Sequence, residues 1–396
     1  MDATELSRAC AEELAALAVA GRRRELRPPS GRDFCSNDYL GLARHPRVRA
    51  ALAAALAPAA TSTPADGLPL GGGSSRLIRG EDPRWGALEA RFAGFCGAAA
   101  ALYFPSGYAA NLSLLTVLAR RGDVIFSDRL NHASLIDGMR LSGAERVRLP
   151  HLDLAAYEAA FRRSPAKAGQ RRLAVVESVY SMEGDLAPLA ELAALCAGHQ
   201  VALVVDEAHA TGLFGPDGAG FVAAAGWPAP VVAVVHTCGK AWGAAGALVV
   251  GPAWLKDLLI NRARPFIYTT APPPLMAVQL EAAMDTATAE PWRREQVRAH
   301  ARELRRHLAA AGLIPERAGA AAESPIIPVV VGADRRAVAV SQRLAAAGFD
   351  VRAIRPPTVP EGTARLRLTV HAEHSSEELA ALAAALRAAV TAEAAA

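Results

Sequence analysis

No uninterrupted apolar run in this 396-residue sequence reaches the roughly 20 residues that a membrane-spanning helix needs, although hydrophobic residues make up 52% of it. The best contender, FVAAAGWPAPVVAVV at 221–235, is split by two prolines and reads as a loop running into a strand. No membrane span is expected. Cysteine pairs are missing as well. Cys10, Cys35, Cys96, Cys196 and Cys238 form no CxxC, so neither a disulfide framework nor a metal site is expected, only small buried thiols in a reducing compartment. The segment MDATELSRACAEELAAL carries acids where a secretory signal has a basic start and an apolar block, which makes the cytoplasm the default. A net charge of +4 is too small to argue for nucleic acid, and the basic cluster GRRRELR at 21–27 reads as a solvated helix end.

Two nucleotide signatures are lacking too. HTCGKAW around Lys240 has neither the second glycine nor the hydroxyl of GxxxxGK[ST]. GGGSSRLIRG at 71–80 follows a loop where a dinucleotide fingerprint requires a strand.

What is present is an alternation of strands and helices. Apolar β-rich runs occur at ALYF (101–104), VIF (124–126), LAVVE (173–177), VALVVD (201–206), VVAVVHT (231–237) and ALVV (247–250). Segments with helical spacing, such as 111–121 and 188–199, lie between most of them. Near-continuous apolar strands separated by helices imply an α/β fold with a mostly parallel sheet covered by helices on both faces. After about residue 285 the rhythm changes to a long arginine-rich helix over 291–312, strands at IIPVVV, VRAI and LRLTV, and a final helix from 375. The expected organisation is an N-terminal helix and arm over 1–40, a large α/β domain over 41–285 and a smaller α+β domain over 286–396. The stretch 58–75, PAATSTPADGLPLGGGSS, suits neither helix nor strand, and a glycine loop of that length is either disordered or functional.

Three short stretches carry chemistry. YFPSGYAAN (103–111) is a strand, a Ser-Gly turn and a helix start whose N–H groups around Gly107 and Tyr108 can meet an anion, a weak signal alone. VALVVDEAHATG (201–212) puts Asp206 at the carboxyl end of a buried strand, where open α/β sheets bind ligands; an isolated Asp there would simply cap the next turn. HTCGKAWG places Lys240 on a tight turn directly after another buried strand, where an ammonium is costly without a partner. Together they fit pyridoxal 5'-phosphate (PLP), which needs an amine, a carboxylate for its ring nitrogen, a helix N-terminus for its phosphate and a ring on its face. Lys240, Asp206, the Gly107/Tyr108 turn and His132 of DRLNHASLIDG fill those places. Without that set, His132 would read as a helix cap, and Ser181 and Thr237 as ordinary turn hydroxyls.

The same stretches, with SNDYLGLARHP (36–46), GGGSSRLIRG, ESVYSMEGDLAPL (177–189) and PPTVPEGTARLRLT (356–369), resemble the α-oxoamine synthases, PLP-dependent enzymes of the aspartate-aminotransferase fold (fold type I). The resemblance runs from about residue 36 to the end. It implies condensation of an amino acid with an acyl thioester and loss of carbon dioxide. Lys240 would bind the cofactor and move the α-proton, and Asp206 would pair with the ring nitrogen. His209 and Ser181 would bond the phenolic oxygen, and His132 would stack on the ring and protonate an intermediate. Gly107, Tyr108 and Thr237 would hold the phosphate, with Thr270 reaching the phosphate of a neighbouring subunit in a homodimer whose active site lies at the interface.

The segment AIRPPTVPEGTARLRLT is most similar to members that join L-alanine to a pimeloyl thioester, carried by coenzyme A or acyl carrier protein. Asn37 and Arg367 would bind a carboxylate, and Arg355, Thr358 and Arg27 would line the acyl or carboxylate end. Absent the resemblance, Arg365 and Arg367, alternating with leucines, would read as solvent-facing ion pairs. Three departures bear on acyl-chain preference: the segment RPPSGRDFC is short, Trp85 stands where relatives carry histidine, and Ala271 follows the phosphate threonine in place of serine. Related enzymes that use glycine share the apparatus, whereas an inactive partner subunit of this fold would lack Lys240.

Overall fold

The computed structural model describes residues 1–57 and 67–393, so positions 58–66 of the low-complexity stretch lie outside the described residues. Contacts divide the chain into two compact units, one formed by 38–181 and 185–295, the other by 1–37, 182–184 and 296–396.

The larger unit is built on a seven-stranded sheet: β1 (Ala100–Phe104), β2 (Val124–Asp128), β3 (Glu145–Leu149), β4 (Arg172–Glu177), β5 (Ala202–Asp206), β6 (Val231–Thr237) and β7 (Ala247–Gly251), in the order β1-β7-β6-β5-β4-β2-β3. Each β-branched run found in the sequence is a strand of this sheet, for the expected reason that its side chains are buried on both faces. Leu102, Ile125, Val175, Val204, Val235 and Val249 meet the apolar side of helix Gly107–Leu118 in one core. The sheet is mostly parallel, as the sequence leads one to expect, and two of its features add detail to that expectation. β7 runs antiparallel to both β1 and β6, because a short turn from β6 permits only a hairpin. β3, ERVRL, was not anticipated: it is a sheet edge with an exposed, charged pattern that hydrophobic periodicity does not register.

The parallel strands end together. Asp128, Glu177, Asp206 and Thr237 are the last residues of β2, β4, β5 and β6, and Glu177 is in register with Asp206. At this edge Asp128 accepts the backbone N–H of Leu130 and Leu152 and pairs with His151 at 3.0 Å, whose other nitrogen faces Asp185 at 3.4 Å. Burial opposes charge on His151, but the hydrogen bonds and charges of the two aspartates outweigh it and lift its pKa to about 9. A pKa raised on folding contributes stability that is complete below the unfolded value of about 6.5 and lost as pH rises through the folded one. The urea-midpoint gap between wild type and His151→Gln should therefore be widest near pH 6 and narrow by about pH 9.5; a constant gap would contradict the pairing.

The smaller unit holds a three-stranded antiparallel sheet, Ala353–Ile354, Ala364–Thr369 and Ile326–Gly332 in that order, with helices Asp334–Ala346, Ser376–Ala392 and Trp292–Ala310. The last begins four residues before the division at 295/296. Two readings are corrected here. All six residues of Ala364–Thr369 are buried, so Arg365 and Arg367 are not solvent-facing: Arg365 donates to Glu183 at 3.0 Å, and Arg367 to Oδ1 of Asn37 at 3.1 Å. The basic cluster does not end a helix. Helix Ala3–Val19 stops before it, and Arg22 bonds Asp334 at 2.7 Å and Glu361 at 3.0 Å.

Of the cysteines, Cys96, Cys196 and Cys238 are buried, but Cys10 is exposed and Cys35 half-buried. No described helix is long and apolar enough to cross a membrane, and no group of three or more potential metal ligands occurs among the described residues.

Candidate active site

The turn between β6 and β7 explains the lysine among glycines. Gly243 and Gly246 have positive φ, of 59° and 85°. A Cβ on Gly243 would come within 2.2 Å of the Ala43 nitrogen, and one on Gly246 within 2.0 Å of the Tyr103 hydroxyl. Only glycine fits such approaches. Behind the turn, Trp85 is fully buried and stacks on Tyr103 at 4.3 Å, while the Tyr103 hydroxyl donates to the carbonyl of Ala245 at 2.9 Å. The residue that departs from the family pattern thus serves as the packing behind the lysine turn. Gly246→Ala should lower both the melting temperature and the retention of cofactor; unchanged retention would show that the turn does not need this close packing.

Lys240 is one of three lysines in the sequence. Lys167 is exposed, and Lys256 is held by the buried Glu89 at 2.8 Å. Nζ of Lys240 hydrogen-bonds Nε2 of His209 at 2.9 Å, and Nδ1 of His209 bonds the hydroxyl of Tyr39 at 2.8 Å. Asp206 is buried. Its Oδ1 accepts the Ala208 N–H at 2.9 Å and its Oδ2 accepts Nδ2 of Asn111 at 2.8 Å. His132 keeps an exposed surface while it caps helix Ala133–Ser142, its Nδ1 accepting the Ser134 N–H at 3.2 Å. The capping contact leaves the ring surface available for the expected site role. Its pKa is lowered, chiefly by desolvation and further by Lys240, with Asp206 acting in the opposite sense.

Glu177, buried at the end of β4, escaped notice in the sequence. Its Oε1 accepts the His132 N–H at 2.6 Å and its Oε2 the Ser181 N–H at 3.2 Å, so one carboxyl group fixes the backbone of two expected site residues. Burial first, then Asp206, pushes its pKa up against the pull of Lys240 and these two donors. Gly107 opens helix Gly107–Leu118, and a Cβ there would meet Cγ2 of Thr237 at 2.6 Å. The bare backbone and the threonine thus lie side by side, and first-turn N–H groups have no intrahelical acceptor. Thr237 donates its hydroxyl to the Ala208 carbonyl at 3.3 Å, and Tyr108 is half exposed and donates to Asp137. Thr270 is exposed, and its neighbour Ala271 donates to the Ser74 carbonyl at 2.8 Å. Gly72 and Gly80 permit that approach: a Cβ on either would come within 2.3 Å of a backbone oxygen.

Lys240, His209, Asp206, His132, Ser181, Gly107, Tyr108, Thr237 and Thr270 all belong to the larger unit. The expected substrate residues Arg27, Asn37, Arg355, Thr358 and Arg367 belong to the smaller one. There Asn37 and Arg367 are brought together. Arg355 donates to the Gly21 carbonyl, Thr358 accepts from Arg24 at 3.3 Å, and Arg27 pairs with Glu25 at 3.0 Å.

Residues 30–386 match the family described as aminotransferase class I and II. The chain belongs to that family. Among its relatives, the 8-amino-7-oxononanoate synthase of Anaeromyxobacter dehalogenans is 46% identical over 392 residues, covering 94% of each chain. Among solved structures, serine palmitoyltransferase from S. paucimobilis, carrying PLP and myriocin, superposes with a TM-score of 0.87 at 28% identity over the whole of both chains. The 8-amino-7-oxononanoate synthase of Francisella tularensis gives 0.76 at 25% identity, over 92% of this chain and 99% of that one. This member of the aminotransferase class I and II family is a PLP-dependent transferase of the α-oxoamine synthase type. Its residues fit the cofactor. An amine, a buried carboxylate, an exposed histidine and a side-chain-free helix start are the complements that PLP requires.

Proposed function

We propose that this enzyme joins L-alanine to a pimeloyl thioester, giving 8-amino-7-oxononanoate, carbon dioxide and the free thiol carrier, as a step toward biotin. In that reaction a bond forms between the alanine α-carbon and the acyl carbon. The C–S bond and the bond to the alanine carboxyl break, and the α-carbon regains a proton. PLP supplies the electron sink for the α-carbon. The other roles fall to this chain. Lys240 holds the cofactor and takes and returns the α-proton, with His209 at 2.9 Å as the hydrogen-bond partner of its amine. Asp206 supplies the anion for the ring nitrogen, Glu177 steadies the backbone of His132 and Ser181, and the Gly107 turn and Thr237 take the phosphate. Arg367, buried and oriented by Asn37, suits a carboxylate, and it is the family resemblance that assigns Arg355, Thr358 and Arg27 to the acyl end.

The observation that carries the reading is the Lys240–His209 contact at the edge where Asp206 ends its strand, in a chain nearly half identical to 8-amino-7-oxononanoate synthases. A second reading, an α-oxoamine synthase using another amino acid such as glycine or serine, draws support from the higher TM-score to serine palmitoyltransferase. Mass spectrometry of products from alanine, glycine or serine with a panel of acyl-CoAs separates the two. Amino ketone with release of carbon dioxide from alanine and pimeloyl-CoA is expected; turnover only with glycine or serine would refute the first reading. A cytoplasmic homodimer is part of the same proposal. Exposed Thr270 and helix Ala3–Val19, which has no buried residue, are available to a second copy; a monomeric mass in solution would argue against it.

A further inference from the structure

Four side chains inside the larger unit form a continuous hydrogen-bonded chain that the proposed reaction does not by itself require. Nδ2 of Asn111 lies 2.8 Å from Oδ2 of Asp206 and 2.9 Å from Oγ of Ser134, and Oγ of Ser134 lies 2.8 Å from Nδ1 of His132. Asp206, Asn111 and Ser134 are buried. The direction of every proton in the chain follows from its two ends.

A carboxylate only accepts, so the Asn111 amide must turn its nitrogen toward Asp206. The opposite orientation would set two oxygens against each other. Both N–H bonds of the amide are then in use, toward Asp206 and Ser134, while its Oδ1 is buried with no partner among the described residues. The second N–H points to Ser134 Oγ, which is therefore an acceptor from Asn111 and keeps its own hydrogen for His132. At the far end, Nδ1 of His132 already accepts the Ser134 backbone N–H at 3.2 Å as a helix cap. A hydrogen on Nδ1 would face that N–H head-on. Nδ1 is an acceptor, and the ring proton belongs to Nε2.

We propose that Asn111 and Ser134 are positioning residues that fix His132 as its neutral Nε2–H tautomer, so that this histidine serves the reaction as a hydrogen-bond donor and not as a full proton donor. A neutral imidazole that gave up its Nε2 proton would become an anion, whereas one that keeps it polarises a carbonyl oxygen without proton transfer. This changes the role expected of His132 from protonating an intermediate to stabilising developing negative charge. The inference rests on the reading that places His132 at the cofactor, but the tautomer itself does not.

The test is 15N NMR of the holoenzyme labelled in histidine, with long-range correlations assigned to His132 through His132→Gln. The expected wild-type spectrum shows a protonated Nε2 and an unprotonated, hydrogen-bonded Nδ1. In Ser134→Ala the Nδ1 resonance should move toward that of a free acceptor, kcat should fall by about tenfold, the loss of one hydrogen bond, and KM for the acyl thioester should stay within about twofold. Ser134→Thr, which keeps the hydroxyl, should restore both the resonance and the rate. A wild-type Nδ1–H tautomer, or a Ser134→Ala resonance unchanged from wild type, would overturn the proposal. If the tautomer is as expected but no amino ketone forms from any acyl-CoA, the functional reading fails and the chain stands; if product forms with the other tautomer, only the chain fails.

Discussion

Lys240→Ala should lower turnover by on the order of 10⁴-fold or more, since on the proposed reading it removes both the covalent attachment and the group that moves the α-proton. The loss is expected without unfolding. The lysine's nitrogen bonds His209, while the turn itself is held by its own glycines, by Tyr103 and by the Ala244 N–H to Cys238 carbonyl bond at 3.0 Å. Circular dichroism should therefore match wild type, and the visible absorbance of bound cofactor should shift to that of the free aldehyde. Neither other lysine can substitute: Lys256 is tied to Glu89 and Lys167 lies in an exposed loop between Arg163 and Arg172. Unaltered absorbance and residual activity above about a hundredth of wild type would contradict the assignment.

Asp206→Asn should cost on the order of 10³-fold in turnover by removing the anion proposed for the ring nitrogen, an electrostatic contribution. The substitution is close to isosteric, and an amide oxygen can still accept the Ala208 N–H. Asn111 must turn its Oδ1 toward the new Nδ2, which withdraws the N–H it gives Ser134. Melting temperature should thus fall less than in Asp206→Ala, which strands two buried donors outright. Steady-state kinetics beside thermal melts separate these effects; equal activity in Asp206→Asn and wild type would remove Asp206 from the cofactor's electrostatics.

Much of the candidate site is legible in the sequence because its members sit where a strand stops. Asp206 and Thr237 are last residues of apolar runs, and Lys240 follows one, so position relative to the sheet edge can be read from the pattern of valines alone. Asn111 cannot be read that way. It is an ordinary polar letter inside a helix, and the role proposed for it arises only because the fold carries Asp206, 95 residues later, to 2.8 Å from its amide. Glu177 also ends a strand, but its contribution is to backbone N–H groups, which no sequence displays. Tyr39 is fixed by its contact with His209 and has no local signal either.

The same limit applies to the fold. Strand direction in β7 is invisible to a period-2 pattern, which is identical for parallel and antiparallel neighbours. Edge strand β3 is hidden because an exposed strand is built from charged residues. The alternation Arg-Leu-Arg-Leu in Ala364–Thr369 suggests a half-solvated strand, yet both arginines are buried because Glu183 and Asn37 supply partners from distant parts of the chain. Periodicity reports which side chains are apolar, and a buried charge with a distant partner breaks the link between apolar and inside.

The central claim, that one amine at the β6–β7 turn captures the cofactor, is tested most directly by reducing the holoenzyme with borohydride and mapping the modified peptide by mass spectrometry. The account predicts a single phosphopyridoxyl group, on Lys240. Label on Lys167 or Lys256, or none on any lysine of a protein that still turns over, would contradict it.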